Sequence, residues 1–432
     1  MAPHTKADAL ASRTTPFTTA TIVTAAILLM TVAVTMLEGG GFDASSQSVF
    51  VALAGVALLA AMGLDSQMVV RAVRSPLALT LTALAILSVA SAAWTVAEPT
   101  EALRSGLVIG GYAAVFVAAT TLARRTGPWP FAVAIAILAL VEGIIGLNAV
   151  ATHTLPDAER IAGAWRPGGT FEYPPALAIL QVGALPVLCG LLGRRSRLLA
   201  VGAGAALTLA GAVLALSQSR LAIALAAVLL ATLVLRRRAR RPARMAVVAT
   251  IALVVAGALL APTILGAHAG PAARGRGVAA APTASRRLAA RPGHGITRNS
   301  DWLHGRGHEW GAALQTWLDR PLLGAGAGAY YTASAPHQGS ASSRYAHDLP
   351  LELAAELGIL GLLLSIALYA STAWSISRAL HTPALWLLAP MAIAFLASNL
   401  LDWTWHLAGL GALWAAASGA LNGAAVRSHK AA

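Results

Sequence analysis

The chain has 432 residues, 57% hydrophobic and 11% charged, with a mean hydropathy of +0.70. A soluble core of this size needs no such apolar surface, so the composition excludes a soluble globular protein and indicates a polytopic helical membrane protein. The formal net charge of +14 is spread over short loops between apolar runs, which fits anchoring beside anionic lipid and not a nucleic-acid partner.

Backbone groups in lipid must pair within their own segment, and the apolar runs lack the alternation of a β-barrel. The expected fold class is therefore all-α, with about twelve transmembrane helices of roughly 20 residues each. The runs fall near 18–37, 47–64, 76–94, 101–123, 128–151, 174–193, 198–216, 220–235, 245–263, 350–371, 383–401 and 404–424. Residues 1–17 read as a cytoplasmic tail, 18–263 as helices one to nine and 350–424 as helices ten to twelve, with 425–432 as a second cytoplasmic tail. The first run lacks a small-x-small cleavage site and reads as an uncleaved anchor. Between helices nine and ten, residues 264–349 form a large extracytoplasmic loop. Its first part, 264–300, is rich in Ala, Arg, Pro and Gly without a period and reads as a flexible linker. Its second part, 301–318, reads as a helical lid.

Orientation follows from the cations. With Lys6 and Arg13 inside, Arg71, Arg74, Arg124, Arg125, Arg194, Arg378, Arg427 and Lys430 also fall inside, and the outer loops hold few. The positive-inside rule thus puts both termini in the cytoplasm. The lone Cys189 lies inside a span and has no partner for an intrachain disulfide.

Three outer segments carry unusual residues for a lipid-soluble chain. The first is Trp165-Arg166-Pro-Gly-Gly-Thr170-Phe171-Glu172-Tyr173. Its glycines permit a tight turn that exposes backbone N–H groups, and Arg166 suits an anion or a sugar; an interfacial aromatic belt explains the same residues structurally. The second is Ser217-Gln218-Ser219-Arg220. Ser219 is placed to cap the next helix, whose positive end joins Arg220 in attracting phosphate; the bland reading is an arginine snorkelling to headgroups.

The third is the lid. Trp302, Arg306, Trp310, Leu314 and Trp317 recur at helical spacing, as on an amphipathic helix covering a cavity. His304 and His308 are four apart, but no third ligand accompanies them, so no metal site is expected. Gly324, Gly326 and Gly328 read as a flexible turn near substrate. Asp348 is placed to cap a helix starting near Leu349, with Pro350 in its first turn, which fixes His347 at the mouth of the outer cavity. A histidine there has an ordinary pKa near 6.5 and is suited to take a proton from a hydroxyl.

Together these motifs resemble the O-antigen ligase family, which shares its core with O-antigen polymerases and bacterial protein O-oligosaccharyltransferases. The matching segments are RPGGTF, Ser217-Gln-Ser-Arg220, Arg306-Gly-His-Glu-Trp310 followed by Pro321-Leu-Leu-Gly324-Ala-Gly326, and Ala346-His347-Asp348 with Leu351-Glu352, Glu356, Gly358 and Gly361. Ser91-Ala-Ala-Trp94 with Glu98-Pro is also typical. The chain departs from the family in having Asp348 where Asn is usual, and Glu172-Tyr-Pro-Pro where the loop commonly carries Asn.

The resemblance implies glycan transfer from an undecaprenyl diphosphate carrier to an acceptor hydroxyl on a glycan, glycolipid or protein, at the outer membrane face, with no metal, nucleotide or other cofactor. It implies catalytic roles for His347, Arg220 and Arg306. Substrate contacts are expected from Arg166, Thr170, Ser219, Trp310, Gly324, Gly326, Asp348 and Glu352. Nearby cations are expected to lower the His347 pKa and keep it neutral. Ligation of a finished chain, repeat-unit polymerisation and protein glycosylation stay open. A transporter is the alternative from another class; it would show two similar halves and broken helices at the midplane, whereas in the sequence no halves repeat, the longest loop is external and charge avoids the midplane.

Overall fold

The computed structural model describes residues 18–235 apart from 162, 193 and 195, and residues 306–429 apart from 340 and 341. Within them the chain is mostly helical, with eight helices long and apolar enough to cross a membrane. It is an all-α polytopic membrane protein. The helices are α1 Thr19–Leu37, α2 Ala44–Val73, α3 Pro76–Ala90, α4 Pro99–Thr126, α5 Trp129–Thr152, α6 Pro174–Leu192, α7 Arg197–Ser217 and α8 Arg220–Leu235. Further on come α9 Arg306–Asp319, the short α10 Tyr330–Ser334, α11 Leu349–Arg378, α12 Ala384–Ser398 and α13 Ala408–His429. Each expected apolar run among these residues coincides with one of these helices. The expected span 245–263, the linker 264–300, Trp302 and His304 lie outside the described residues.

Local chemistry sets the helix ends. Proline occupies the first turn of α3, α4, α5 and α11, where its missing N–H costs nothing. Helix α2 runs past its expected end but is broken at Asp65, whose backbone is extended. There Asp65 Oδ1 accepts from the Met68 N–H at 2.9 Å, and Oδ2 pairs with Arg124 at 3.1 Å.

Helices α4, α6 and α13 form the buried centre of the bundle. α13 packs along α4 through small residues four apart, Gly411, Ala415, Gly419 and Gly423. A Cβ added at Gly419 would lie 2.3 Å from the Phe116 carbonyl oxygen, and one at Gly423 would lie 2.4 Å from that of Thr120. In lipid, where tails are as apolar as side chains, this close backbone approach is a main source of helix association.

The loops that carry the unusual residues meet at one end of the bundle. Phe42 packs edge-on against Trp403 and Tyr345, Gly40 abuts Phe171, and the Val96 N–H donates to the Ala325 carbonyl at 2.9 Å. The opposite end gathers arginines: Arg427 donates to the Arg125 carbonyl at 3.1 Å, and Arg194 lies over the Trp129 ring.

Two departures from regular helix position the site. The first lies in α11, which breaks at Gly358 with φ 65° and ψ −153°. The segment Pro321–Gly326 fills the break. Ile359 N–H donates to the Pro321 carbonyl at 2.9 Å, Ala325 N–H to that of Ala355 at 2.9 Å, and Gly326 N–H to that of Glu356 at 2.7 Å. The second is a hairpin, β1 Ala158–Ile161 and β2 Ala164–Pro167, antiparallel with Glu159 opposite Arg166. After it the chain dips inward. Thr170 N–H donates to Glu142 Oε2 at 2.9 Å, and its hydroxyl donates to Glu142 Oε1 at 2.7 Å. Glu142 lies ten residues before the end of α5, about 15 Å down the helix. Charge therefore does not avoid the midplane, contrary to expectation; the carboxylate is tolerated because the loop descends to satisfy it.

Gly419→Val is expected to lower the thermal midpoint of detergent-purified protein, because overpacking of a tight interface costs about 1–3 kcal/mol. Gly55→Ala, where an added Cβ meets nothing within 4 Å, is expected to leave it unchanged or raise it. Equal midpoints for Gly419→Val and the parent protein, measured by fluorescence-detected size exclusion after heating, would refute this packing account.

Candidate active site

Asp348 caps α11 as its spacing predicts: its Oδ1 accepts from the Leu351 N–H at 2.9 Å. The preceding backbone is held on both sides. Ala346 N–H donates to Glu352 Oε2 at 2.8 Å, and Leu349 N–H donates to the Asn399 carbonyl at 2.7 Å. Between these anchors His347 takes φ 55°, a left-handed conformation uncommon for a non-glycine residue. This fixes the imidazole. Its Nδ1 lies 3.2 Å from the Tyr345 carbonyl and 3.0 Å from Glu309 Oε2. With Nδ1 facing two acceptors, the proton of the neutral ring belongs there, and Nε2 keeps the lone pair.

Helix α9 supplies Glu309 one turn after Arg306. Arg306 Nη2 is 3.7 Å from Asp402 Oδ2. Asp402 is buried, and its Oδ1 accepts from the Tyr173 hydroxyl at 2.6 Å and the Trp403 N–H at 2.8 Å. The site is thus a chain of ionisable groups, Glu309, His347, Arg306 and Asp402, held by three separate segments. Burial pulls the His347 pKa down, but Glu309, helped by Asp402, more than offsets burial and Arg306, so the net shift is upward from 6.5. This corrects the expectation of a lowered value. The carboxylates closest to the ring were not counted among its neighbours in the sequence reading. Burial likewise raises the carboxyl pKa values of Asp348 and Asp402.

The remaining expected residues divide by position. Arg166 is half-buried on β2; burial lowers its pKa, opposed by Glu159. Its Nε and the Trp310 Nε1 are buried without an acceptor among the described residues. Buried donors without acceptors are what an anionic or hydroxylated ligand satisfies. Arg220 is exposed at the first residue of α8, after Gln218 in a left-handed conformation. Ser219 is half-buried there, with its N–H donating to Ser217 Oγ at 3.3 Å. Of the three assigned arginines, Arg306 is the one that these contacts bring beside His347.

Thr170 uses its hydroxyl on Glu142 and the Met36 carbonyl, so its role is to anchor the inward loop. Gly324 and Gly326, expected as a flexible turn, are buried and pinned. A Cβ at Gly324 would lie 2.3 Å from the Glu356 carbonyl carbon, and one at Gly326 would lie 2.3 Å from Thr95 Oγ1. Glu352 is buried and holds both the Ala346 N–H and His406, whose Nε2 is 2.5 Å from Oε1. On α9 the face against α11 is Ala312, Ala313 and Thr316, while Leu314 is exposed, so the tryptophan stripe is not the packed face.

Glu309, Asp402, Tyr173 and His406 were not assigned from the sequence. Glu309 carried a signal, since it sits one helical turn from Arg306 inside a recognised motif. Asp402 had only the hint of a single acid among the aromatic residues Trp403 and Trp405.

Chemically the arrangement offers a base at Nε2, a carboxylate that stabilises the imidazolium formed when that base takes a proton, and arginines for a departing anion. Among the described residues no group of three His, Cys, Asp or Glu side chains is placed to hold a metal ion. No curated protein matches the chain. Residues 205–366 match the family model described as O-antigen ligase. The match begins within α7 and ends within α11, so it encloses Arg220, Arg306, Glu309, the pinned glycines and His347; Arg166 and Asp402 lie outside it. Over this stretch, about three-eighths of its length, the chain is similar to the O-antigen ligase family.

Proposed function

We propose that the protein is a membrane glycosyltransferase of the O-antigen ligase type. It moves a glycan from an undecaprenyl diphosphate carrier to an acceptor hydroxyl on the extracytoplasmic face of the cytoplasmic membrane. The observation that carries this reading is the His347–Glu309 contact one turn from Arg306, with Nδ1 turned to its acceptors. The acceptor hydroxyl binds at Nε2. Its oxygen bonds to the anomeric carbon as the bond from that carbon to the phosphate oxygen breaks. The hydroxyl proton passes to Nε2, and the negative charge departs on the lipid diphosphate.

Each residue acts on one part of this step. Glu309 holds the ring and stabilises the imidazolium. Arg306, Arg220 and Arg166 neutralise the leaving diphosphate, which suits a rigid guanidinium fork that stays charged. Asp402 and Tyr173 orient Arg306. Direct displacement inverts the anomeric centre. A repeat-unit polymerase would use the same step with the carrier-bound glycan of a second molecule as acceptor.

Transfer in proteoliposomes tests the reading, with purified protein, host undecaprenyl-diphosphate-linked glycan and host envelope extract. His347→Ala is expected to cut transfer by about 10²–10⁴-fold, and Arg306→Ala or Arg220→Ala by about 10²-fold or more, with membrane insertion intact. Glycan on a new acceptor identifies a ligase, and longer glycan on the carrier a polymerase. Glycan that crosses the bilayer unchanged, with His347→Ala equal to the parent protein, would overturn the enzyme reading.

The pH profile gives a separate check. Because the His347 pKa is raised, its base form is lost as pH falls through a value above 6.5. Transfer should therefore decline on the acid side with a midpoint above that value. In Glu309→Gln the larger upward influence is removed while burial, Arg306 and Asp402 remain, so the midpoint should move down and the rate fall. An unmoved midpoint would remove Glu309 from the mechanism.

A further inference from the structure

A cavity lies beside Tyr345, at the end of the bundle that carries the candidate site. Its volume is about 100 Å³, and it opens to solvent. Its walls come from α3, α4, α10, α11 and the loops at Phe42, Tyr345 and His406. Three carboxylates, Glu101, Glu352 and Glu356, line it, with Glu352 and Glu356 buried. Arg104, ion-paired with Glu101, lines it too. Arg344 stands at its rim, 5.4 Å above the Phe42 ring and 5.7 Å from that of Tyr345.

The lining argues against several occupants. Three carboxylates repel a phosphate, and the polar walls suit no lipid tail. The carboxylates are already engaged: Glu352 by His406, Glu356 by the Tyr330 N–H at 3.1 Å, and Glu101 by Arg104. That leaves little for a bare cation. Acceptors and donors interleaved with aromatic faces match a ring carrying many hydroxyls, which donates to carboxylates, accepts from arginine and lays its C–H face on an aromatic surface. One further observation points into the cavity. Ser88 lines it, is 1% exposed, and its Oγ has no partner among the described residues. A buried hydroxyl left unpaired is costly and is expected to find an acceptor or donor when the cavity fills.

An aromatic stack joins this cavity to the His347 site. Tyr345 stacks on His406 at 4.0 Å and on Trp403 at 5.3 Å between centroids, and Trp403 lies 4.4 Å from Tyr173, which holds Asp402. Tyr345, which lines the cavity, is two residues before His347, the proposed base.

We propose that the cavity around Ser88, Arg104, Arg344, Glu352 and Tyr331 is a saccharide subsite that seats an uncharged sugar ring of the reacting glycans. This rests on the glycan-transfer reading for its place in the reaction, but its occupancy is measurable without transfer.

The test is equilibrium binding to the full chain in nanodiscs, by isothermal titration. One probe is the oligosaccharide released by mild acid from the host's undecaprenyl-diphosphate-linked glycan; the other is lipid-free oligosaccharide from the host envelope polymer. Ser88→Ala is expected to weaken binding about threefold to tenfold while its thermal midpoint stays level or rises. Arg344→Ala should weaken binding about tenfold or more. Binding of the first probe alone assigns the cavity to the donor glycan, and of the second alone to the acceptor. No binding of either probe, or equal binding by the parent protein and both variants, would overturn the subsite. Saccharide binding that depends on Ser88, in a protein that transfers nothing in proteoliposomes, would instead defeat the transfer reading and leave the subsite standing.

Discussion

An opened helix turn inside a membrane bundle exposes backbone groups that lipid cannot satisfy, and that constraint organises this protein. Gly358 breaks α11 ten residues after its Asp348 cap. The carbonyls of Ala355 and Glu356 and the N–H of Ile359 are then free, and Pro321–Gly326 supplies partners to all three. A Cβ at Gly358 would lie 2.2 Å from the Leu322 carbonyl oxygen, so the two segments fit only with glycine on each side. This docking fixes the end of α9 and the start of α10 against α11. Glu309, Glu356 and Tyr330 therefore stand where they do because a helix was broken and repaired from outside.

The electrostatics of the site follow from that frame. The ring of His347 faces a glutamate from α9, with Asp402 beyond, while Arg306 stands between the acids. Burial alone would favour the neutral ring. The carboxylates outweigh burial and make His347 a stronger base that is also more readily saturated with protons. Asp402 is itself committed to Tyr173 and Trp403, and its contact with Arg306 is long at 3.7 Å. The guanidinium is oriented yet left with donors for a phosphate.

The inward loop after the hairpin repeats the same logic with a side chain. Glu142 sits deep in α5, where an unpaired charge is expensive, and the loop brings Thr170 down to it. A Cβ at Gly169 would lie 2.6 Å from Glu142 Oε2, which explains glycine beside Thr170. The hairpin above carries Arg166 with a buried Nε that has no partner among the described residues. One buried acid thus sets the depth and the aim of a loop that belongs to the site.

The membrane class, the positions of the described helices and the Asp348 cap were legible in the sequence, because hydropathy runs and helix caps are local properties of the chain. The similarity to the O-antigen ligase family was legible for a related reason, since the motifs that carry it are short and ordered. The contacts of the individual motif residues were decided only by tertiary structure. Gly324 and Gly326 read as a flexible turn until α11 and Thr95 are packed against them. Glu309 reads as a solvated helix residue until His347, 38 positions later in the chain, is folded onto it. Asp402 reads as a loop acid until Tyr173 and Arg306 reach it from two other segments. The direction of the His347 pKa depends on those pairings, because Coulomb interactions act between neighbours in space and the sequence specifies only neighbours along the chain.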